Sequence, residues 1–308
     1  MRRDPIHGIS PCAGAAQPAA LVAVSGLSVS GLSVSGKEDG RTLPREASFL
    51  QPAASARRLW RIFGTGISFA VFGVAALGLT LLVFPLCSIA SGGVDRGHVR
   101  VQRVIHYAYR AFVKLMEGLG LIRTDWIGAD ALRTPGPHLI VANHPTLIDI
   151  VQLISRLPQA DCVIGDDYAR NPFLARAASQ AGYITNADGA AVVDACAEKL
   201  RAGRTIVLFP EGTRSSVLGM RKLRRGAAHI ALRTGVPLLP VVISCEPRML
   251  RKGQSWWDVP QRRGQYTIAV LAPITPQSTG ASDALLARRL TSTLRDRIGE
   301  GLDRASVR

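Results

Sequence analysis

From Ile62 to Ala90 the chain runs for 29 positions without a charged residue, and Phe, Val, Leu, Ile and Ala dominate the run. At about 1.5 Å per residue, one helix of this length crosses a hydrocarbon layer of about 30 Å with some tilt. Arg57, Arg58 and Arg61 precede the run, and Arg96, Arg100 and Arg103 follow it. Cations on both flanks leave its orientation open. The same pattern allows a re-entrant hairpin with both ends on one side, bent near Gly73, Gly78 or Pro85. A fully buried core helix is the reading that needs no membrane.

The remaining chain divides around this segment. Residues 1–55 carry Pro, Ala, Ser and Gly without periodicity, and 25–36 repeat Ser-Gly-Leu-Ser-Val. A disordered tail is expected there. Residues 94–120 read as a basic amphipathic helix suited to a lipid interface or to packing on a domain. The pattern is clearest over 99–118. Val101, Val104, Ile105, Ala108, Phe112, Leu115 and Met116 share one face, and Arg103, Arg110, Lys114 and Glu117 the other. A single larger domain fits 121–302.

Lys and Arg number 38 against 22 acidic residues, a formal charge of +16. That excess points to anionic lipid, nucleic acid or an acidic carrier protein, or to no more than a solvated surface. Few aromatic residues interleave the basic stretches, which argues against single-stranded nucleic acid, and no nucleic-acid partner is expected. Cys12, Cys87, Cys162, Cys196 and Cys245 form no C-x-x-C pair. They read as packing residues in a reducing compartment, with no metal site.

From about residue 136 apolar runs alternate with helical patterns. Strands are expected at 138–142, 161–165, 205–209, 237–244 and 266–271. Helices are expected at 145–157, 172–181, 190–202, 224–234 and 281–298. Such alternation predicts an α/β fold, a mixed, mostly parallel sheet flanked by helices, behind an N-terminal membrane segment. Sites in such sheets form beyond the carboxyl ends of the strands.

Two polar motifs fall at those ends. The first, Asn143-His144-Pro145-Thr146-Leu147-Ile148-Asp149, follows the strand at 138–142. Pro145 suits the first turn of a helix, which places His144 at an exposed corner. Asp149 can then reach back to the imidazole, fix its tautomer and steady the imidazolium, as a general base requires. A capping histidine beside a solvated aspartate is the inert alternative. The second motif, Phe209-Pro210-Glu211-Gly212-Thr213-Arg214-Ser215, follows the strand at 205–209. Gly212 permits a sharp turn, Arg214 offers a planar donor fork, and Thr213 and Ser215 add hydroxyls. Glu211 is expected to accept hydrogen bonds from ligand hydroxyls or to position Arg214. Arg221, Lys222, Arg224 and Arg225 add cations at a helix start, an anion site or a solvated face.

The two motifs, with 67 residues from His144 to Glu211, resemble those of the glycerolipid acyltransferase family, best known for 1-acylglycerol-3-phosphate acyltransferases. Val236-Pro237-Leu238-Leu239-Pro240-Val241 is similar to the family's last motif. The resemblance covers about residues 136–275 and makes 121–302 an acyltransferase domain. It implies that His144, aided by Asp149, takes the proton of an acceptor hydroxyl. That hydroxyl attacks the thioester of acyl-CoA or an acylated carrier protein, co-substrates that replace any cofactor. It implies an acceptor held by Glu211, Gly212, Thr213, Arg214 and Ser215, a lysophospholipid such as 1-acylglycerol-3-phosphate. It also implies membrane lipids as partners and a place on the cytoplasmic face of a bacterial inner membrane.

One stretch departs. Gly182-Tyr183-Ile184-Thr185-Asn186 lacks the Arg that the family carries there to hold the acceptor phosphate. Lys222 or Arg225 can substitute, or the acceptor lacks phosphate. Arg170-Asn171-Pro172-Phe173 and the run 225–231 resemble a bacterial branch linked to aryl polyene lipids, so acylation of a pigment-lipid hydroxyl is the alternative. A lipid esterase is a further rival, but no G-x-S-x-G elbow is present. His98, His106 and His229 read as surface or packing residues. Trp256 and Trp257 read as interfacial anchors or packing.

Overall fold

The computed structural model describes residues 51–165, 172–185, 189–216, 219–277 and 282–306. The Ser-Gly repeat, the Arg170–Asn171 pair and Asn186 lie outside them.

The apolar run forms an almost unbroken helix. Helix α1 (Gln51–Gly78) passes through one π turn at Leu79–Val83 into α2 (Phe84–Ile89). The helical stretch Ser55–Ile89 has a mean hydropathy of 2.4 in its most apolar window, of which only 17% is buried. The helical backbone continues through Gly73, Gly78 and Pro85 without a turn. Instead the chain reverses at 90–93 and returns as α3 (Val94–Gly118). The two legs are antiparallel. The Trp60 indole N–H donates to the Leu119 carbonyl at 3.0 Å, Phe72 packs on Tyr109 and Phe112, and Arg100 donates to the Ala90 carbonyl. Along α3, Val101, Ile105 and Met116 are buried and Arg103, Arg110, Lys114 and Glu117 exposed, as the periodicity predicts. The pattern does not reveal that Gln102 and His106 are also buried. The His106 ring hydrogen-bonds the Ile154 carbonyl at 2.8 Å, so it packs α3 to the domain.

The domain is a seven-stranded sheet in the order β1-β7-β6-β2-β5-β3-β4. Its strands are β1 (Ile122–Ile127), β2 (Leu139–Ala142), β3 (Asp161–Ile164), β4 (Ile184–Thr185), β5 (Ile206–Leu208), β6 (Leu238–Glu246) and β7 (Gly264–Val270). Every pairing is parallel except β6 with β7. Helices α4 (Asp149–Ile154), α5 (Pro172–Gln180), α6 (Gly189–Arg201), α7 (Gly226–Thr234) and α8 (Asp283–Ser306) complete the fold. The sheet separates two cores. One includes Ile140, Ala142, Val241 and Ile243 with α3 and α4, and the other Leu139, Val141, Ile206 and Leu208 with α6, α7 and α8. Burial on both faces explains the continuous apolar runs of β2 and β6.

Three expectations need correction. Strand β1 was not expected, because Arg123 and Asp125 interrupt the apolar pattern. They point outward as an exposed ion pair, while Ile122 is buried. The helix expected from Pro145 begins only at Asp149 and has six residues. In the loop before it the Thr146 amide donates to the Asp149 carboxylate, a local side-chain bond that stands in place of a regular helical turn. The last helix continues to Ser306, past the expected end at 298.

Candidate active site

Register brings the two motifs together. Val141 of β2 pairs with Leu208 of β5, so His144 and Glu211 each lie three residues past a paired position. Asn143 ends β2 by clamping the next strand. Its side-chain amide donates to the Ile243 carbonyl at 2.8 Å, and its oxygen accepts the Ile243 N–H at 2.7 Å.

His144 and Asp149 form a dyad. The carboxylate is fully buried and lies 2.7 Å from His144 Nδ1. An ionised carboxylate can only accept, so Nδ1 carries the proton and Nε2 keeps a lone pair that can take one. The imidazole is 19% exposed and stacks on Phe209 with ring centroids 4.2 Å apart. Asp149 also accepts the Thr146 amide at 2.7 Å and the Thr146 hydroxyl at 2.5 Å. The buried Tyr266 phenol donates to that hydroxyl at 2.9 Å. Tyr266, Thr146, Asp149 and His144 thus form one hydrogen-bonded chain ending at a reachable nitrogen. Burial pushes the Asp149 carboxyl up from the ordinary carboxylate range, and the hydrogen bonds from His144 and Thr146 oppose that shift.

The second motif turns its acid inward. Glu211 is 5% exposed. One of its oxygens accepts the His144 amide at 2.9 Å and the Ser215 hydroxyl at 2.8 Å. The other accepts the Arg221 amide at 2.7 Å. The Ser215 amide in turn donates to the His144 carbonyl at 2.7 Å. Glu211 and Ser215 therefore brace the histidine's backbone. Gly212 has φ +70°, and a Cβ there would meet the Arg224 guanidinium at 2.8 Å, so no other residue fits without displacement.

The cations split. Arg224 packs on Gly212 and Arg225 precedes α7, while Lys222 is exposed. Arg214 donates to the Leu250 carbonyl at 3.1 Å, and Lys252 to the Thr213 hydroxyl at 3.1 Å. The same Leu250 carbonyl accepts the Leu147 amide. Leu250 has φ +52°, a backbone region that side chains disfavour, and its carbonyl joins both motifs. Thr146, Tyr266, Leu250 and Lys252 escaped sequence reasoning. Thr146 lies inside the first motif, so its hydroxyl was the one available signal. The others come from a loop and strand more than 100 residues away.

The Acyltransferase family model matches residues 123–244, which hold both motifs and the strands that carry them. The matched residues are an acyltransferase domain. Mouse 1-acyl-sn-glycerol-3-phosphate acyltransferase alpha is similar to it, 25% identical over 217 residues, with 67% of this chain and 71% of that protein aligned. The 1-acyl-sn-glycerol-3-phosphate acyltransferase from Helicobacter pylori is 35% identical over 117 residues, covering 35% of this chain and 48% of its own. The crystal structure of the 1-acyl-sn-glycerophosphate (LPA) acyltransferase PlsC from Thermotoga maritima shares the fold. Its TM-score is 0.61 at 19% identity, over 83% of this chain and 98% of that one. The protein is a membrane-associated O-acyltransferase.

The described cysteines are unpaired. Burial pushes the thiols of Cys162, Cys196 and Cys245 up to about 12, so they are unreactive packing residues.

Proposed function

We propose that the enzyme transfers a fatty acyl group from acyl-CoA or an acylated carrier protein to the free hydroxyl of 1-acylglycerol-3-phosphate. The observation that carries this reading is the partly exposed His144 imidazole, with Nδ1 tied to a buried carboxylate. Nε2 takes the acceptor's O–H proton as the oxygen attacks the thioester carbon. The C–S bond breaks, and the imidazolium returns the proton to the departing thiolate. Asp149 steadies the imidazolium. Thr146 and Tyr266 position Asp149 and touch no substrate. Phe209 holds the ring in plane by stacking, and Glu211 and Ser215 hold its backbone.

Arg214 and Lys252, at the Thr213 corner, supply the cations for the acceptor phosphate, and Gly212 lets the backbone approach it. The acceptor itself is inferred from the activity named for the aligned relatives. The folded unit of α1 to α3 and the acyltransferase domain binds the cytoplasmic face of a bacterial inner membrane. Since α1 begins beside the end of α3, both ends of the hairpin favour the same side, which supports a re-entrant seat over a span.

Initial rates against lysophosphatidic acid, read as thiol release, test the assignment. Arg214→Ala is expected to raise KM more than it lowers kcat, since a charge-assisted contact contributes about 1.5–3 kcal/mol. Arg214→Lys should restore little, because the planar fork is lost. Turnover of a non-phosphorylated lipid alcohol with none of lysophosphatidic acid would overturn the acceptor and leave the acyl transfer standing.

A further inference from the structure

A second basic site lies apart from the dyad. Arg57 and Arg61 on the first turns of α1 face Arg262 and Arg263, which end the loop between β6 and β7. The four line an open cleft of about 830 Å³ together with Glu246, Pro247, Gln261 and Gln265. Among the described residues none of the four guanidinium groups is ion-paired to a carboxylate. The one acid in the lining, Glu246, is shared with Arg248 at 3.8 Å.

The placement is not that of an ordinary solvated face. Arg57 and Arg61 continue, at four-residue spacing, the stripe of α1 that buries Thr65 and Ser68 against the protein. Where that stripe would next meet the domain, it meets like charge. Arg61 reaches the Gln261 carbonyl, which pins the two walls together with their cations converging. Holding four cations around one cleft costs Coulomb energy unless an anion sits between them. Guanidinium groups match the oxygens of a phosphate by paired hydrogen bonds.

The depth of the cleft selects the anion. Arg61 is the last charged residue before the uncharged run, and Leu59 and Phe63 beside it are 66% and 60% exposed. From the opposite wall, the loop carrying Arg262 also carries Trp257, 55% exposed, and Trp256, whose ring packs on Gly66 of α1. Aromatic residues of this kind settle at the headgroup level of a bilayer, with the basic side chains beside them.

We infer that the cleft between the start of α1 and the β6–β7 loop binds the headgroup phosphate of an anionic membrane phospholipid. This lipid is not consumed, and its site is distinct from the catalytic one. Binding it fastens the loop that carries Leu250 and Lys252 to the membrane helix, so the site's upper rim is set by the lipid surface. The inference does not depend on which acceptor is acylated.

The test is lipid binding by the full-length protein in a neutral detergent. Phosphatidylglycerol and phosphatidylcholine of the same chains are titrated, and bound lipid is counted by native mass spectrometry. Wild type is expected to retain one phosphatidylglycerol in preference to phosphatidylcholine. At about a fivefold factor per cation near a lipid surface, Arg262→Gln with Arg263→Gln should weaken that retention by about 30-fold. Arg57→Gln, from the other wall, should weaken it by about fivefold, which guards against a loop that merely misfolds. Arg288→Gln with Arg289→Gln removes the same charge from the exposed face of α8 and should change nothing. Three results would each overturn the inference: equal binding of the two lipids, equal loss in the α8 pair, or one-for-one displacement of phosphatidylglycerol by soluble CoA. The last would make the cleft a donor site.

Discussion

Asp149 and Asp161 are both completely buried, yet they do opposite work. Asp149 lies beyond the carboxyl end of β2 and is held by neutral donors, namely the Thr146 amide and hydroxyl and the His144 N–H. Asp161 opens β3 at the other end of the parallel strands. Lys199 reaches it at 2.7 Å, Arg204 at 2.5 Å and Gln102 at 3.1 Å. Gln102 also bonds the Ala181 carbonyl and accepts from Arg204, so the cluster ties α3 to the sheet edge. Burial alone therefore does not mark a catalytic acid. What distinguishes Asp149 is that one of its partners is an imidazole whose second nitrogen can take a proton. The partners of Asp161 are two basic side chains and an amide that tie neighbouring elements together, and such a carboxylate serves architecture.

The largest effect expected from this contrast is on turnover. His144→Ala should lower the rate of thiol release by about 10²–10⁴ and leave the protein folded, because the Thr146 amide and hydroxyl still hold Asp149. Wild-type turnover in the folded variant would break the assignment. Asp161→Ala should do the reverse. Leaving Lys199 and Arg204 half-buried without their acid should cost about 3–5 kcal/mol of stability, measured by thermal unfolding in detergent, while the rate per folded molecule stays near wild type. A selective loss of kcat there would erase the distinction between the two aspartates.

Asp149→Asn should lower kcat by about 10², less than loss of the base itself, and its effect on stability has a sign. Burial raises the Asp149 carboxyl, so keeping it ionised in the fold is unfavourable above its folded pKa, and that penalty vanishes below the ordinary carboxylate value. The difference in unfolding temperature between the Asp149→Asn variant and wild type should therefore move in the variant's favour as pH rises from about 4 to about 7. A shift the other way would mean that the three donors outweigh burial. The smallest effects belong to the outer chain. Thr146→Val and Tyr266→Phe should each lower kcat about fivefold with KM unchanged, the size of one neutral hydrogen bond, and Thr146→Ser should restore most of it. Equal changes in KM would argue that these hydroxyls touch the acceptor instead of positioning Asp149.

Much of the site was legible because its chemistry is local. His144 and Asp149 stand five residues apart, and the spacing of 67 between His144 and Glu211 reflects one register, Val141 opposite Leu208. The role of Glu211 was not legible. A carboxylate in a polar motif reads as facing a ligand, and only the packed loops reveal three protein donors around it. Strand β1 was hidden because it borders the sheet, where one side of a strand carries charges.

Local pattern alone determined the apolar helix, the amphipathic face of α3, the buried strands and the two motifs at their ends. Each follows from periodicity or from residue types a few positions apart. Tertiary structure alone decided that the apolar segment turns back along α3, that Tyr266 completes the dyad's hydrogen-bond chain, and that Leu250 links both motifs. It also brought Arg57 and Arg61 opposite Arg262 and Arg263. These partners lie tens to about 200 residues apart, as with Arg61 and Gln261, and no short-range pattern encodes such pairings. They exist only because strand register and helix packing set the distances.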